Sequence, residues 1–324
     1  MLSLLKRKPI PGGLTAVVLD QGGFSLARID RDHSGKPILE LSLFKECSSR
    51  AELGRSLTAA VRSNGLHGAP CIAVLRPAMY SLRQIEAPAV QPEEMQEAAR
   101  WSVKDLIDFP AEDAVIDIFD VPKAGSSREH RIYVVATRSS TVEETADLIH
   151  GSGLSLKAID VAELAFRNLA ALLPEDHGGV ATMYLGNEAG VLTITRRGSL
   201  YLARRLHADP DLLAEGESYE PGAIKPEQSE EAEQMTKSLL LETQRSLDYY
   251  EHQLELGQVT TLILVPLETP LAGLRRFLAA NLSVDVSVLD LSGILRASED
   301  LSQPFQTRCL MAIGGALREE SEAA

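Results

Sequence analysis

The first part of the chain alternates between strand-like and helical patterns. Leu14–Asp20 is an apolar, β-branched run that meets a glycine turn at Gln21–Gly23, and Phe24–Asp30 then alternates apolar and polar residues. This spacing predicts two antiparallel strands joined by a tight hairpin. Further strands are predicted at Pro37–Phe44, Cys71–Leu75 and Leu154–Asp160, and helices at Ala51–Ser63, Thr141–His150 and Val161–Leu172.

The second half of the chain repeats this opening. Val180–Leu185 and Gly190–Thr195 flank a second glycine turn at Gly186–Asn187, and Leu200–Leu206 supplies a third strand. The repeat predicts a weak internal duplication marked by the two glycine turns. The later elements are predicted as a long helix at about Glu231–Leu256, strands at Thr260–Val265 and Val284–Leu289, and helices at Leu271–Asn281 and near Pro304–Leu317.

The length of 324 residues favours two domains, and the patterns suggest where they divide. We predict an N-terminal arm at 1–13, a first lobe at 14–174, a second lobe at 175–318 and a short tail at 319–324. The second lobe carries an acidic, proline-containing loop at 208–230, which we interpret as mobile. The fold class is therefore α/β with two similar lobes.

A segment of different texture, at about 80–136, interrupts the first lobe. Strands are predicted at Tyr80–Glu86, Ala114–Val121 and Arg131–Thr137, and Pro92 opens a helix at its first turn. The apolar stripe of this helix is predicted to hold Met95, Ala98, Ala99, Ser102 and Leu106.

Trp101, the only tryptophan, lies off that stripe. The preferred interpretation is that a second helix face packs on the first lobe. The alternative is that Trp101 anchors a bound peptide, because aromatic side chains dominate such interfaces. Leu106 and Phe109 are expected to share the role of Trp101, and these three residues are the candidate partner-binding set.

The charge balance and the cysteines exclude several classes of function. Lys and Arg number 32 against 46 Asp and Glu, so the net charge of −14 makes nucleic acid a poor partner. Cys47, Cys71 and Cys309 are far apart and fit neither a disulfide framework nor a metal site, which favours a reducing compartment. The sequence offers no apolar run long enough to span a membrane and no signal-peptide pattern.

Common catalytic motifs are not found either. The sequence contains no P-loop, dinucleotide fingerprint, nucleophile elbow or paired-histidine metal motif. We expect no metal site and no catalytic residues.

Three segments resemble the PilM/MshI family, whose members help to assemble type IV pili and MSHA pili. They are the stretch Pro88–Pro122, with Glu94 and the run Ala98–Asp117, the helix segment Leu240–Tyr250 and the closing motif Ala312–Arg318. The resemblance covers essentially the whole chain. It implies an actin-like (ribonuclease H-like) duplicated fold, with an inserted FtsA/PilM-type subdomain at about 80–136.

The resemblance also implies a role and a location. The chain would be a scaffold in the cytoplasm of a Gram-negative bacterium, peripheral to the inner membrane and without a membrane span of its own. It would bind the N-terminal cytoplasmic peptide of a PilN-like single-pass inner-membrane protein and act with other pilus assembly components.

The family's actin-like site needs three elements, of which the first is partly present here. Asp20, Gln21, Gly22 and Gly23 keep an acid followed by glycines, although a tight hairpin turn alone explains these residues.

The other two elements are degraded. Gly186 remains in the second turn, but Tyr184 and Gly190 stand where the pattern expects Asp and Thr, and Glu188 is out of register. The third element falls at Val265–Pro270 and lacks its glycine pair. We therefore expect Asp20, Gln21, Gly22, Gly23 and Gly186 to be vestigial cofactor-binding residues, with no ATPase activity and no cofactor.

Alternative functions stay open at this point. One is an ATP-binding switch, in which magnesium-ATP at the first turn tunes partner binding. Another is a cytoplasmic GspL-like component of a type II secretion system, which the missing membrane span disfavours. A self-polymerising filament is also conceivable, but a fold alone does not imply it.

Overall fold

The computed structural model describes residues 7–8, 13–20, 22–123, 130–186, 189–215, 229–297 and 303–321. In chain order, its first half contains β1 (Leu14–Asp20), β2 (Gly23–Arg31), β3 (Pro37–Glu46), α1 (Arg50–Ser63), β4 (Pro70–Leu75), β5 (Tyr80–Glu86), α2 (Met95–Val103), β6 (Ala114–Asp120), β7 (Arg131–Arg138), α3 (Ser139–Ser152), β8 (Ser155–Val161) and α4 (Ala162–Ala170).

The second half continues with β9 (Val180–Leu185), β10 (Gly190–Arg196), β11 (Ser199–Leu206), α5 (Pro210–Leu213), α6 (Glu230–Asp248), β12 (Thr261–Leu264), α7 (Ala272–Asn281), β13 (Asp285–Val288), β14 (Arg296–Ala297) and α8 (Gln303–Ala316). Most predicted strands and helices are found within one or two residues of their expected bounds. The long helix predicted to reach Leu256 instead ends its α-helical part at Asp248 and continues as a π-helical turn over Tyr249–Gln253.

Local sequence explains where the helices begin. Ser49 caps α1 by accepting a 3.3 Å hydrogen bond from the backbone N–H of Glu52, and the Glu52 carboxylate accepts one of 2.8 Å from the N–H of Ser48. Ser229 caps α6 in the same way, accepting from the N–H of Ala232 at 3.1 Å. These caps fix the first turn of each helix.

The chain divides into two compact units. Unit 1 comprises Met1–Arg76, Ser139–Leu172 and Asp290–Ala324, and unit 2 comprises Pro77–Arg138 and Leu173–Leu289. This division differs from the sequence-based boundaries in two places, the inserted segment and the final helix.

Unit 1 is built on a sheet in the order β14-β3-β2-β1-β4-β8. Strands β1, β2 and β3 form an antiparallel meander, and β4 and β8 extend it in parallel from β1. Helices α1 and α3 pack together, with Leu53, Leu57, Val61 and Ile149 buried against the sheet residues Val17, Phe24 and Leu26. Helix α8 lies with α4 and contacts β1, β2, β3 and β4.

The close approach of α8 depends on two glycines. A Cβ on Gly314 would collide with the carbonyl oxygen of Ala165 in α4, and one on Gly315 would lie 2.5 Å from Cγ2 of Val74. The final helix, predicted as the end of the second lobe, therefore belongs to unit 1. Gly314 and Gly315 let this helix pack closely against Ala165 and Val74 of that unit.

Unit 2 repeats the strand order of unit 1. Its main sheet runs β11-β10-β9-β12-β13, with an antiparallel meander β9–β10–β11 and with β12 and β13 added in parallel. Unit 1 has the same arrangement in β3-β2-β1-β4-β8. The matching order confirms the duplicated α/β fold that the two glycine turns predicted.

The inserted segment forms a sheet in the order β5-β7-β6, covered on one face by α2. It interrupts unit 1 along the chain, between β4 and α3, but its contacts tie it to unit 2. The backbone N–H of Ala203 in β11 donates a 2.8 Å hydrogen bond to Oη of Tyr133, and Arg205 donates one of 3.3 Å to the carbonyl of Tyr80. Arg131 donates to Oη of Tyr249. The insertion predicted at about 80–136 is thus present, and it belongs to the same compact unit as most of the second lobe.

The remaining segments fall partly outside the described residues. Of the N-terminal arm, Arg7–Lys8 pair antiparallel with Glu320–Ser321 of the tail, whereas 1–6, 9–12 and 322–324 are not described. The acidic loop 208–230 contributes the short helix α5, capped by Asp209, and its residues 216–228 are not described. Within the described part of the chain, no helix is both long and apolar enough to cross a membrane.

Candidate functional site

The first glycine turn, in unit 1, contains an acid that already has a basic partner. Asp20 ends β1, and its carboxylate lies 3.2 Å from Nη1 of Arg76. Nε of Arg76 also donates a 3.3 Å hydrogen bond to the carbonyl of Leu19. Arg76 was not predicted from the sequence. Its position directly after β4, the parallel neighbour of β1, was an available signal, because carboxyl ends of parallel strands meet at one edge of a sheet.

The glycines of this turn are explained by strand pairing. Gly23 has φ +152, and a Cβ there would collide with the carbonyl oxygen of Lys45 in β3. The carbonyl of Gly22 accepts a 2.9 Å hydrogen bond from the N–H of Cys47. A side chain at position 23 would push β3 away, so Gly23 is required by the sheet whatever binds nearby. Gln21 lies outside the described residues.

The second glycine turn, in unit 2, is covered by an aromatic ring. A Cβ on Gly186 would lie 2.5 Å from Oη and 2.6 Å from Cε1 of Tyr184. Gly190 is held close to β11, where its Cβ would lie 3.0 Å from Cβ of Leu206. Asn187 and Glu188 lie outside the described residues. The space above Gly186, which an open phosphate-binding turn would leave free, is thus taken by Tyr184.

The third element follows β12 in unit 2. The N–H of Val265 donates a 2.8 Å hydrogen bond to the carbonyl of Met183, and Val265 is buried. Leu267 packs partly against the core of the second lobe, while Glu268 is exposed. This segment thus has bulky and acidic side chains at the place where the actin-like pattern has a glycine pair.

The inserted subdomain has a core of its own. Ala99 and Val103 of α2 are buried, with Met95 and Ile107 partly buried beside them. The stripe predicted from the sequence was wrong at Ser102 and Leu106, which are exposed. For Leu106 the physical reason is that α2 ends at Val103, so the chain leaves the helical path before residue 106. Ser102 lies within α2, and its hydroxyl donates a 3.0 Å hydrogen bond to the carbonyl of Ala98.

The three candidate partner-binding residues have different environments. Trp101 is 64% exposed and Leu106 is 49% exposed. These exposures favour the alternative, a partner contact, over the preferred interpretation that this second helix face packs on the first lobe. Phe109 instead packs partly against the subdomain core, with the guanidinium of Arg138 4.6 Å from its ring centroid. Phe109 therefore does not share the exposure of the other two residues.

A cation already lies over the exposed tryptophan. Nζ of Lys104 is 5.4 Å from the centroid of the Trp101 ring, within the range of a cation–π interaction. Lys104 was not predicted from the sequence as part of this surface. It follows Trp101 by three residues, a spacing that brings two side chains together on a helix, so a signal was present.

The segment that follows α2 is fixed by a second basic residue. Nη1 of Arg100 donates to the carbonyls of Ala111 and Ala114, at 2.7 and 3.0 Å. These bonds hold the loop after α2 beside the helix, so the segment that contains the exposed Trp101 and Leu106 is fixed in place.

The three cysteines lie in apolar surroundings. All three cysteines are free and buried, and burial raises the pKa of the Cys71 thiol to about 12 and that of Cys309 to about 11. Such thiols stay protonated near neutral pH and are poor nucleophiles. Among the described residues, no group of His, Cys, Asp and Glu is placed to hold a metal ion.

Comparison with solved structures defines the class of fold. A Bacteroides thetaiotaomicron protein with an actin-like ATPase fold and unknown function matches with a TM-score of 0.51 and 12% identity, over 91% of this chain and 96% of that one. This chain has the same actin-like fold.

A more similar structure is that of a PilM–PilN type IV pilus biogenesis complex. It matches with a TM-score of 0.67 and 19% identity, over 94% of this chain and 97% of that chain. The cytoplasmic domain of EpsL, an inner-membrane component of the type II secretion system of Vibrio cholerae, gives a TM-score of 0.49 at 12% identity, over 96% and 97% of the two chains. No protein-family model and no curated protein matches this sequence.

Proposed function

We propose that this chain is a non-enzymatic scaffold of type IV pilus biogenesis, in an MSHA-like system. It would bind the N-terminal cytoplasmic peptide of a PilN-like inner-membrane protein and so sit at the cytoplasmic face of that membrane. The observation that carries this proposal is the similarity to the PilM–PilN complex, which extends over 94% of this chain with a TM-score of 0.67.

A binding role without ATP hydrolysis is supported by the state of the three actin-like elements. The carboxylate of Asp20 faces Arg76, although an actin-like ATPase needs an acid there for metal and water. The ring of Tyr184 covers Gly186, and bulky residues follow Val265. Each feature disfavours close approach of a nucleotide to the backbone.

The inserted subdomain is the proposed place of peptide binding. Trp101 and Leu106 are exposed there, while Ala99 and Val103 of the same helix fill the subdomain core. Affinity would come from burying a short apolar motif of the peptide beside residues 80–136, with aromatic anchors contributing most.

Isothermal titration tests the proposal directly. The full chain is titrated with a synthetic N-terminal peptide of a PilN-like protein from the same genome, with a scrambled peptide, and with magnesium-ATP. We expect heat with the native peptide and none with the other two. Micromolar binding of ATP would favour the nucleotide-switch alternative, and no binding of the native peptide would overturn the scaffold proposal.

A further inference from the structure

We infer that the Trp101 surface takes a partner segment whose apolar side chains are accompanied by arginine or lysine. This surface consists of Trp101, Lys104 and Leu106 at the end of α2. The inference rests on the proposed function, since it names the chemistry of the peptide that the scaffold would bind.

Two large apolar side chains of the Trp101 surface are exposed to solvent. Trp101 is 64% and Leu106 is 49% exposed, although the adjacent core of the subdomain is filled by other residues. Neither side chain is needed to close that core. An exposed tryptophan and an exposed leucine five residues apart are typical of a binding surface, because burying them in a complex removes apolar area from water.

The ammonium group of Lys104 lies over the indole ring of Trp101. This group lies 5.4 Å from the centroid of the Trp101 ring, so the ring face already accepts a cation within the free chain. An arginine of a partner could take the same place, and its planar guanidinium stacks on an indole better than an ammonium does.

The segment that holds Trp101 carries more acidic than basic residues. Residues 93–113 contain seven acidic residues and two basic ones, Arg100 and Lys104. Two arginines from the neighbouring strands also reach this segment, since Arg83 donates a 3.5 Å hydrogen bond to the carbonyl of Leu106 and Arg138 lies over the Phe109 ring. The acidic residues still outnumber the basic ones. Arg100 is engaged by the carbonyls of Ala111 and Ala114 and lies 3.5 Å from the carboxylate of Glu97. The exposed carboxylates of Asp105 and Asp108 flank Leu106 in sequence. A basic segment is therefore the complementary partner.

The same charges argue against other occupants. An anionic lipid surface would be repelled by these carboxylates. A second copy of the chain carries a net charge of −14, which also opposes association, although residues 4–8 (LLKRK) have the favoured composition. Self-association is therefore measured as an explicit outcome.

Tryptophan fluorescence reports on this surface alone, because Trp101 is the only tryptophan of the chain. Tryptophan emission of the full chain is followed during titration with a short leucine–arginine peptide, with its leucine–glutamate counterpart, and with the PilN-like peptide. We expect the arginine peptide to shift the emission and the glutamate peptide to leave it unchanged. We also expect binding to weaken about tenfold or more in high salt, because exposed charges are then screened.

Matched variants locate the effect, with affinities measured by titration calorimetry. Asp105→Lys and Asp108→Lys together should weaken binding of the arginine peptide at least about tenfold, as should Trp101→Ala. Asp285→Lys changes an exposed acid at the start of β13, and Val115→Ala trims an exposed residue on β6. Both of these controls should bind as the unchanged chain does.

The outcomes separate this inference from the proposed function. If the PilN-like peptide binds but its affinity ignores Trp101→Ala and the paired lysine variant, the scaffold stands and the surface assignment fails. If only the arginine peptide binds, and does so through Trp101, the surface stands and the PilN-like partner fails. Equal binding of arginine and glutamate peptides overturns the inference, and so does sedimentation showing self-association that Trp101→Ala abolishes.

Discussion

The side-chain amide of Asn168 donates a 2.8 Å hydrogen bond to the carbonyl oxygen of Gly314, joining α4 to α8. Asn168 is buried, so neither group can turn to solvent if its partner is lost. Nearby, Arg318 lies 2.9 Å from the buried carboxylate of Asp160 at the end of β8. These contacts fasten the last helix to unit 1 along two neighbouring elements.

Substituting Gly314 should test how tightly α8 is seated. In Gly314→Ala the new methyl group meets the carbonyl oxygen of Ala165, so we expect a loss of about 1–3 kcal/mol in unfolding free energy. Urea unfolding followed by circular dichroism measures it. Gly151→Ala is the matched control in α3, where no atom lies within 4 Å of the added Cβ apart from its chain neighbours and the backbone of its own helix. That control should be neutral or stabilising by up to about 1 kcal/mol, and equal losses in both variants would contradict the packing argument.

Trp101 and Phe109 should separate binding from stability. Trp101→Ala removes a side chain that is mostly exposed and should change the unfolding free energy by no more than about 0.5 kcal/mol. Phe109→Ala removes a ring that packs on the subdomain core and should lower the thermal midpoint clearly. Differential scanning calorimetry compares the two. A large destabilisation by Trp101→Ala would show that the indole has a packing role.

The hydrogen bond between Tyr133 and Ala203 predicts a local effect. Tyr133→Phe keeps the ring, which is 1% exposed, but removes the acceptor of the Ala203 N–H, at an expected cost of about 1–3 kcal/mol. Amide hydrogen exchange at Ala203 should speed up. The amide of Leu53 in unit 1, bonded to the Ser49 carbonyl, serves as the control and should exchange as before. Unchanged exchange at Ala203 would contradict the proposed attachment of the subdomain to β11.

The buried thiols predict a loss of stability at alkaline pH. Burial raises the pKa of Cys71 from its ordinary value of 9.0 to about 12. Above pH 9 the unfolded chain releases this proton while the folded chain keeps it, so the thiol favours unfolding increasingly as pH rises from 9 towards 12. Urea unfolding across this range measures the slope. Cys71→Ala should flatten it, and an equally steep slope in that variant would assign the effect to other groups.

Much of the fold follows from local sequence pattern. Leu14–Asp20 and Val180–Leu185 have the bounds predicted for them, because apolar β-branched runs ended by glycine turns leave few alternatives. The short strand Arg296–Ala297 was not predicted. It exists through parallel pairing with Ile38 and Leu39, a long-range contact that no local pattern encodes.

The candidate site was less predictable than the fold. Periodicity assigned Leu106 to the buried stripe because it could not show that α2 ends at Val103. The ion pair of Asp20 with Arg76 joins residues far apart in sequence, and the cover of Gly186 by Tyr184 depends on a side-chain direction. Such features require the tertiary arrangement, so a motif search sees only the glycines.

The return of α8 to unit 1 has a consequence for synthesis on the ribosome. Unit 1 is assembled from three separate stretches of chain, the last beginning at Asp290. Five strands of its sheet therefore emerge early, but β14 and one covering helix are missing until translation has passed Ala316, whereas the main sheet of unit 2 is complete once Val288 is made. The unit that starts first should finish last, and a nascent chain halted before α8 should expose the apolar face of β1 and β4 to chaperones.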